Sequence, residues 1–130
     1  MPTQHALLSA SSAHRWLHCT GSPLLEKEFP DTTSVYAQEG TLAHELCELK
    51  LKKYTTVMPK GAYTRVHNKI MKSELWQNEM EGTSETYLEY VKSIMLACEI
   101  APAVLIEKRV DFSRYVSEGF GTADCLILAG

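Results

Sequence analysis

The hydrophobic period of this chain changes once, at Pro102. Before it, apolar residues recur three and four positions apart, and after it they alternate. The first spacing puts side chains on one face of a helix and the second on one face of a strand, and no single element satisfies both. The chain must therefore lead with helices and finish in strands. In SETYLEYVKSIMLACEI (84–100), Tyr87, Tyr90, Val91, Ile94, Ala97 and Cys98 fall on one helical face, and Pro102 closes that helix. In AVLIEKRVDF, Val104, Ile106, Val110 and Phe112 point one way, and Leu105, Glu107, Arg109 and Asp111 the other, which predicts a strand over 103–112. SRYVSEGFG is a connection, and TADCLILA supplies a second strand, so the pair is expected as an antiparallel hairpin with a long loop.

The earlier residues read as helices joined by turns. Ser9-Ala10-Ser11-Ser12 precedes AHRWLHC, where Ala13, Trp16 and Leu17 have helical spacing, and a short capped helix is expected over 10–19. TGSP (20–23) breaks it and FPDTTS (29–34) is a loop. Thr41 then caps a helix over 42–54, with Leu42, Leu46, Leu49 and Lys53 in one stripe. MPKGAY (58–63) turns the chain, and 64–80 reads as helical, with Val66, Ile70 and Trp76 as core positions and Gly82 as its end. The fold class is α+β, mostly helical with a C-terminal two-stranded antiparallel hairpin, in one domain over 1–130.

Net charge is −3, which argues against a broad basic nucleic-acid surface and leaves room for a local basic groove. The N-terminus lacks a basic stretch followed by an apolar segment, and no apolar run reaches membrane-spanning length, so the expected place is the cytoplasm, with no membrane partner. Cys19, Cys47, Cys98 and Cys125 are widely spaced and form no CxxC pair, so a zinc-finger reading fails.

Three stretches carry chemistry. In EGTLAHELCE, His44 lies at the third position of its predicted helix and shares a face with Cys47 and Glu48. It either binds a metal, with Glu48 as ligand or orienting acceptor, or is a surface histidine paired with Glu48. In GFGTADCLIL, Asp124 sits within an apolar strand behind Gly119 and Gly121. A carboxylate buried there needs a hydrogen bond, a counter-charge or a metal, or else it bonds the loop amides at the strand's start. In LSASSAHRWLHCTGSP, His14 and His18 share a face and Cys19 follows. These could bind a soft metal, or be surface histidines beside a buried cysteine.

Taken in order, LSASSAHRWLHCTGS, EGTLAHELCE and EKRVDFSRYVSEGFGTADCLIL resemble the front half of a RecB-like nuclease of the PD-(D/E)XK superfamily, of the variety found in phage and prophage genomes. The resemblance covers about residues 7–128. It implies a mixed sheet flanked by helices. The site it implies joins a helical His, the Asp of a G-x-x-D motif and an acid-x-Lys on the following strand. The helical His corresponds to His44, the motif Gly to Gly121 and its Asp to Asp124. In such enzymes these groups hold a divalent metal that activates water. Cys19 also matches the first cluster ligand of iron–sulfur members, but the three further cysteines of those members are absent, and no iron–sulfur cluster is expected. The sole acid-x-Lys is Glu48-Leu49-Lys50, which precedes Asp124.

Two accounts follow from that departure. The favoured one takes 130 residues as the natural protein, since the chain starts at Met1. It is then a non-catalytic, metal-binding, nuclease-derived phage protein that inhibits a host defence nuclease such as a CRISPR effector. Its metal, expected to be zinc, would be structural, held by His44 and Asp124 with further ligands among Cys19, His18, Cys47 and Glu48. The alternative is the N-terminal segment of a metal-dependent DNA nuclease using magnesium or manganese, active only when completed. The exposed edge of the last strand also allows a homodimer by edge pairing.

Overall fold

A computed structural model describes residues 5–130. Its elements are a 3-10 turn (Ala10–Ser12), α1 (Ala13–His18), α2 (Ser22–Glu26), α3 (Val35–Thr55), α4 (Ala62–Met71), α5 (Glu79–Ala97), β1 (Ala103–Asp111) and β2 (Phe120–Leu128). The class is α+β, mostly helical, and ends in a two-stranded antiparallel hairpin, as the change of period requires. Among the described residues no helix is long and apolar enough to cross a membrane. The chain forms two compact units, one of Met1–Thr32 with Glu107–Cys125, the other of Thr33–Ile106 with Leu126–Gly130.

The helical unit is built on α3, which packs against both α4 and α5. Leu46, Leu49, Ile70 and Met80 form the core, with Leu42, Ala43, Met58, Tyr63 and Trp76 packed around them. The predicted stripe of α3 is therefore correct at Leu42, Leu46 and Leu49. Its start is not. Helix α3 begins seven residues before Leu42, where the Ser34 side chain accepts the Ala37 N–H at 3.1 Å. Thr41, predicted as the cap, lies inside the helix, and its hydroxyl donates back to the Ala37 carbonyl.

Two more expectations are corrected. Helix α5 runs through Gly82 instead of starting after it. A mid-helix glycine costs about 1 kcal/mol relative to alanine, and the buried side chains of Met80, Ser84, Leu88 and Val91 outweigh that. Those four residues define the inward face, so Tyr90 and Ile94 from the predicted stripe face solvent. The segment 64–80 is not one helix: α4 stops at Met71, and Ser73 to Asn78 form the connection to α5. Ile70 is buried as expected and Trp76 packs against the core, but Val66 is exposed. At the entry to α4, Gly61 has φ 78°, a left-handed conformation that favours glycine.

One charged side chain is buried in this unit. Lys50, 2% exposed, directs its ammonium to Glu81 Oε1 at 2.7 Å, Glu85 Oε1 at 2.7 Å and the Glu81 carbonyl at 3.2 Å. All three donors are thereby used. Glu81 Oε2 meets His67 Nε2 at 2.9 Å, His67 stacks on Tyr63, and Lys53 lies 4.0 Å from the Tyr63 ring centre. The network thus joins α3, α4 and α5. Burial alone would lower the Lys50 pKa, but the hydrogen bonds and charges of Glu81 and Glu85 outweigh it and hold it above the usual lysine value. The Lys50 hydrogen bond in turn lowers Glu81.

The strands follow the prediction in extent but not in alternation. In β1, Val104 to Glu107 are all half-buried and Lys108 to Asp111 all exposed. Glu107 has φ 50°. A left-handed residue within a strand twists it and cancels the alternation on either side.

Removing the two carboxylates should cost more than removing the lysine. The double variant Glu81→Ala/Glu85→Ala leaves a buried ammonium without its counter-charges and should lose about 3 kcal/mol in chemical denaturation. Lys50→Met fills the same space without charge and leaves two half-exposed glutamates in water, so it should lose about 1 kcal/mol or less. Equal losses would mean that packing rather than charge fixes α3 to α5.

The pH dependence follows from the same shifts. Glu81 is lowered from 4.5, so its contribution is complete above that value and is lost as pH falls through its folded pKa. Lys50 is raised from 10.5, so its contribution is complete below that value and is lost as pH rises through its folded pKa. Melting temperature should therefore fall on both sides of a plateau between these values, and the acid-side fall should be smaller in Lys50→Met, measured by circular dichroism.

Candidate functional site

The other unit starts with a local cap. Ser9 Oγ accepts the Ser12 N–H at 3.3 Å and lies 2.6 Å from Ser12 Oγ, which starts the turn that leads into α1. Trp16 donates its indole N–H to the Ser9 carbonyl at 2.9 Å, tying α1 back to this segment. The predicted helix over 10–19 is thus present as the turn plus α1. The break at TGSP is followed at once by α2, with Pro23 in its first turn, an element the sequence reading omitted.

The loop between β1 and β2 is closed by its own backbone. Phe112 donates its N–H to the Gly119 carbonyl at 3.0 Å, Tyr115 and Val116 donate to the Phe112 carbonyl, and Gly119 donates to Val116 at 2.8 Å. Ser113 donates its N–H to Asp111 Oδ1 at 2.8 Å. The side-chain and backbone bonds of Ser113 hold the Asp111 carboxyl below its usual value. The Phe112 ring folds over Gly119, where a Cβ would lie 2.6 Å from ring carbons, while at Gly121 it would meet the ring at an ordinary 3.7 Å. Of the two glycines before Asp124, Gly119 is the one that geometry requires.

This loop delivers Phe120, Gly121, Thr122 and Asp124 to a cavity of about 230 Å³, also lined by Glu107 and by the segment containing His5, Ser9 and Ser11. Arg109 lies 4.0 Å from the Phe120 ring centre. Asp124 is exposed, not buried in an apolar strand, and its neighbours Ala123 and Cys125 are half-buried. The expected desolvation of that carboxylate is therefore corrected. The cavity presents two carboxylates, three hydroxyls and an imidazole.

The remaining predicted residues lie elsewhere. His18 and Cys19 sit at the exposed end of α1 and do not line this cavity. His44 is the tenth residue of α3, not the third of a shorter helix, and is exposed, with Cys47 and Glu48 half-buried beyond it. The Glu48 carboxylate pairs with Lys52 one turn on. His44, Cys47 and Glu48 belong to the helical unit, whereas Asp124, His18 and Cys19 belong to the other. All four cysteines are thiols. Among the described residues no three His, Cys, Asp or Glu side chains are grouped as a metal site.

Glu107 was read only as a strand residue, although a carboxylate between Ile106 and a basic pair was a usable signal. Lys50 likewise went unread as a buried charge, although it stands between Leu49 and Leu51 and faces the four-residue pair Glu81 and Glu85.

Residues 5–130 match the family described as "Protein of unknown function (DUF2800)", and the chain belongs to that family. No solved structure matches it.

The two glycines give a direct test of the loop. Gly119→Ala drives a methyl into the Phe112 ring and the Val116 carbonyl and should lower stability by about 1–3 kcal/mol. Gly121→Ala should stay within about 0.5 kcal/mol. Denaturant midpoints decide, and a larger loss at Gly121 would contradict this account of the loop.

Proposed function

We propose that the cavity lined by Glu107 and Asp124 binds a hard divalent cation and is the metal-binding part of a PD-(D/E)XK-type nuclease site. One observation carries this. Ser9 and Ser11 come from the first stretch that resembles such nucleases and Gly121 and Asp124 from the last, more than 100 residues apart, yet they line the same small cavity. Glu107, from that last stretch, adds a second carboxylate.

The donor types favour magnesium or manganese over zinc. Structural zinc takes four ligands rich in sulfur and nitrogen, whereas magnesium keeps several waters and uses one or two carboxylates. Two carboxylates and three hydroxyls fit the second pattern. Asp124 and Glu107 would hold the ion, which when bound would neutralise phosphate charge and acidify a coordinated water. The volume admits a hydrated ion and a phosphate group rather than a drug-sized ligand.

Hydrolysis would further require the acid-x-Lys of such nucleases. Here the sole such triplet is committed to packing: Glu48 pairs with Lys52, and Lys50 is enclosed by Glu81 and Glu85. Residues 5–130 are therefore proposed to bind metal and nucleic-acid phosphate, and cutting would need an acid-x-Lys brought to this cavity from elsewhere. The oxygen-donor cavity carries the proposal.

Manganese(II) binding followed by electron paramagnetic resonance tests the site. The full chain should bind about one equivalent, and Asp124→Asn and Glu107→Gln should each weaken binding at least about tenfold. Unchanged affinity in Asp124→Asn would sink the metal site. A DNA oligonucleotide should bind more tightly in calcium than in EDTA, with that gain lost in Asp124→Asn. If manganese binds but DNA does not respond, the nuclease ancestry of the site is the part that fails.

A further inference from the structure

We infer that His14 and His18 form a second metal site of different chemistry, which takes a divalent late transition metal. The two residues stand four apart on α1 and both are exposed. Their ring centres are 4.6 Å apart with a tilt of 33°, so the two imidazoles are close neighbours over one face of the helix. His18 Nδ1 is 2.7 Å from the His14 carbonyl, which can only accept, so Nδ1 carries the proton and the neutral ring keeps its lone pair on Nε2. A second hydrogen bond that fixes the tautomer and orients the ring is the arrangement of a metal-binding histidine.

The surroundings agree with this role. Arg15, the one full cation between the two histidines, pairs with Glu26 at 3.2 Å. The last carbonyls of α1 lie at the His18 end, where the helix termination favours positive charge. Neither histidine lines the cavity of Glu107 and Asp124.

The site offers two nitrogen donors and leaves its other positions to water or to a ligand. Among the described residues no third His, Cys, Asp or Glu joins the pair in a metal-binding group, so Cys19, although adjacent in sequence, is not counted as a ligand. Two imidazoles and water suit copper(II), nickel(II) and zinc, with copper(II) tightest in the usual order of affinities, and discriminate against magnesium and calcium. The helix site and the cavity would thus select different ions from the same mixture.

The test uses nickel(II) alone, titrated calorimetrically into the full chain, because it spares the thiols the redox chemistry of copper. The wild type should bind one equivalent. His14→Ala and His18→Ala should each weaken binding at least about tenfold, since removal of a ligand costs no less than removal of its orienting partner. Asp124→Asn and Cys19→Ser should bind as the wild type does. The double variant Arg15→His/His18→Ala keeps the number of histidines but places the second one residue from His14, where side chains do not face each other, and it should bind as weakly as His18→Ala. Wild-type affinity in either single histidine variant or in the double variant overturns the proposal, as does a loss in Cys19→Ser equal to that in His18→Ala. Circular dichroism of each variant checks that α1 and the rest of the chain remain folded.

Discussion

A buried ammonium organises the helical unit. Lys50 lies on the inner face of α3 between Leu49 and Leu51, all three being buried. An isolated charge at that position would be prohibitively costly to desolvate. It is tolerated because Glu81 and Glu85, one turn apart on α5, and a backbone carbonyl of the same helix take all three of its protons. That requirement fixes more than a distance. It sets the rotation of α5 about its axis, since only one face carries both carboxylates. The face carrying Ser84, Leu88 and Val91 then turns inward and Tyr90 outward. Apolar packing would accept several rotations of similar area, whereas three directed hydrogen bonds accept few. The extension of Glu81 to His67 brings α4 under the same constraint.

In the other unit the corresponding constraint is steric. The hairpin loop closes on itself through backbone bonds between Phe112, Val116 and Gly119, and the Phe112 ring occupies the space that any side chain at Gly119 would need. The ring is thereby held over the start of β2, which leaves Gly121, Thr122 and Asp124 to face the cavity. The Asp124 carboxylate is thus placed by a loop whose shape depends on a missing Cβ, two links away in the chain of cause.

Much of the fold was legible because it rests on period. The switch at Pro102 gave helices before strands, and Leu46, Leu49 and Ile70 were readable as core from spacing. What failed were the boundaries set by residues that local propensity treats as breakers. Gly40 and Gly82 both lie inside helices, because the Ser34 cap in one case and a buried face in the other exceed a cost of about 1 kcal/mol. The rotation of α5 was misread for a deeper reason. Tyr87, Tyr90 and Ile94 make a good apolar stripe, and nothing in hydrophobicity says that a lysine on another helix will choose the adjacent face. The site was half legible. Asp124 and Gly121 were named from their motif, but Glu107 owes its position to a left-handed residue within β1, which no alternation pattern foretells.

The expected ligand set has two origins. His44 and Asp124 come from the nuclease resemblance, and Cys19, His18, Cys47 and Glu48 are added by residue type. The fold sorts them by neighbourhood instead. Oxygen donors from the hairpin and the N-terminal serines meet in a small cavity, two imidazoles pair on α1, and Glu48 is drawn off by Lys52. Sorting by neighbourhood is also sorting by hardness, because carboxylates and hydroxyls prefer ions that hold water tightly and imidazoles prefer ions that do not. The two proposed sites would thus address different classes of cation without a dedicated four-ligand cage. Helix spacing alone builds the nitrogen pair, whereas the oxygen cavity depends on the Phe112 loop. Loss of that loop should accordingly abolish the oxygen-donor site while the pair on α1 remains.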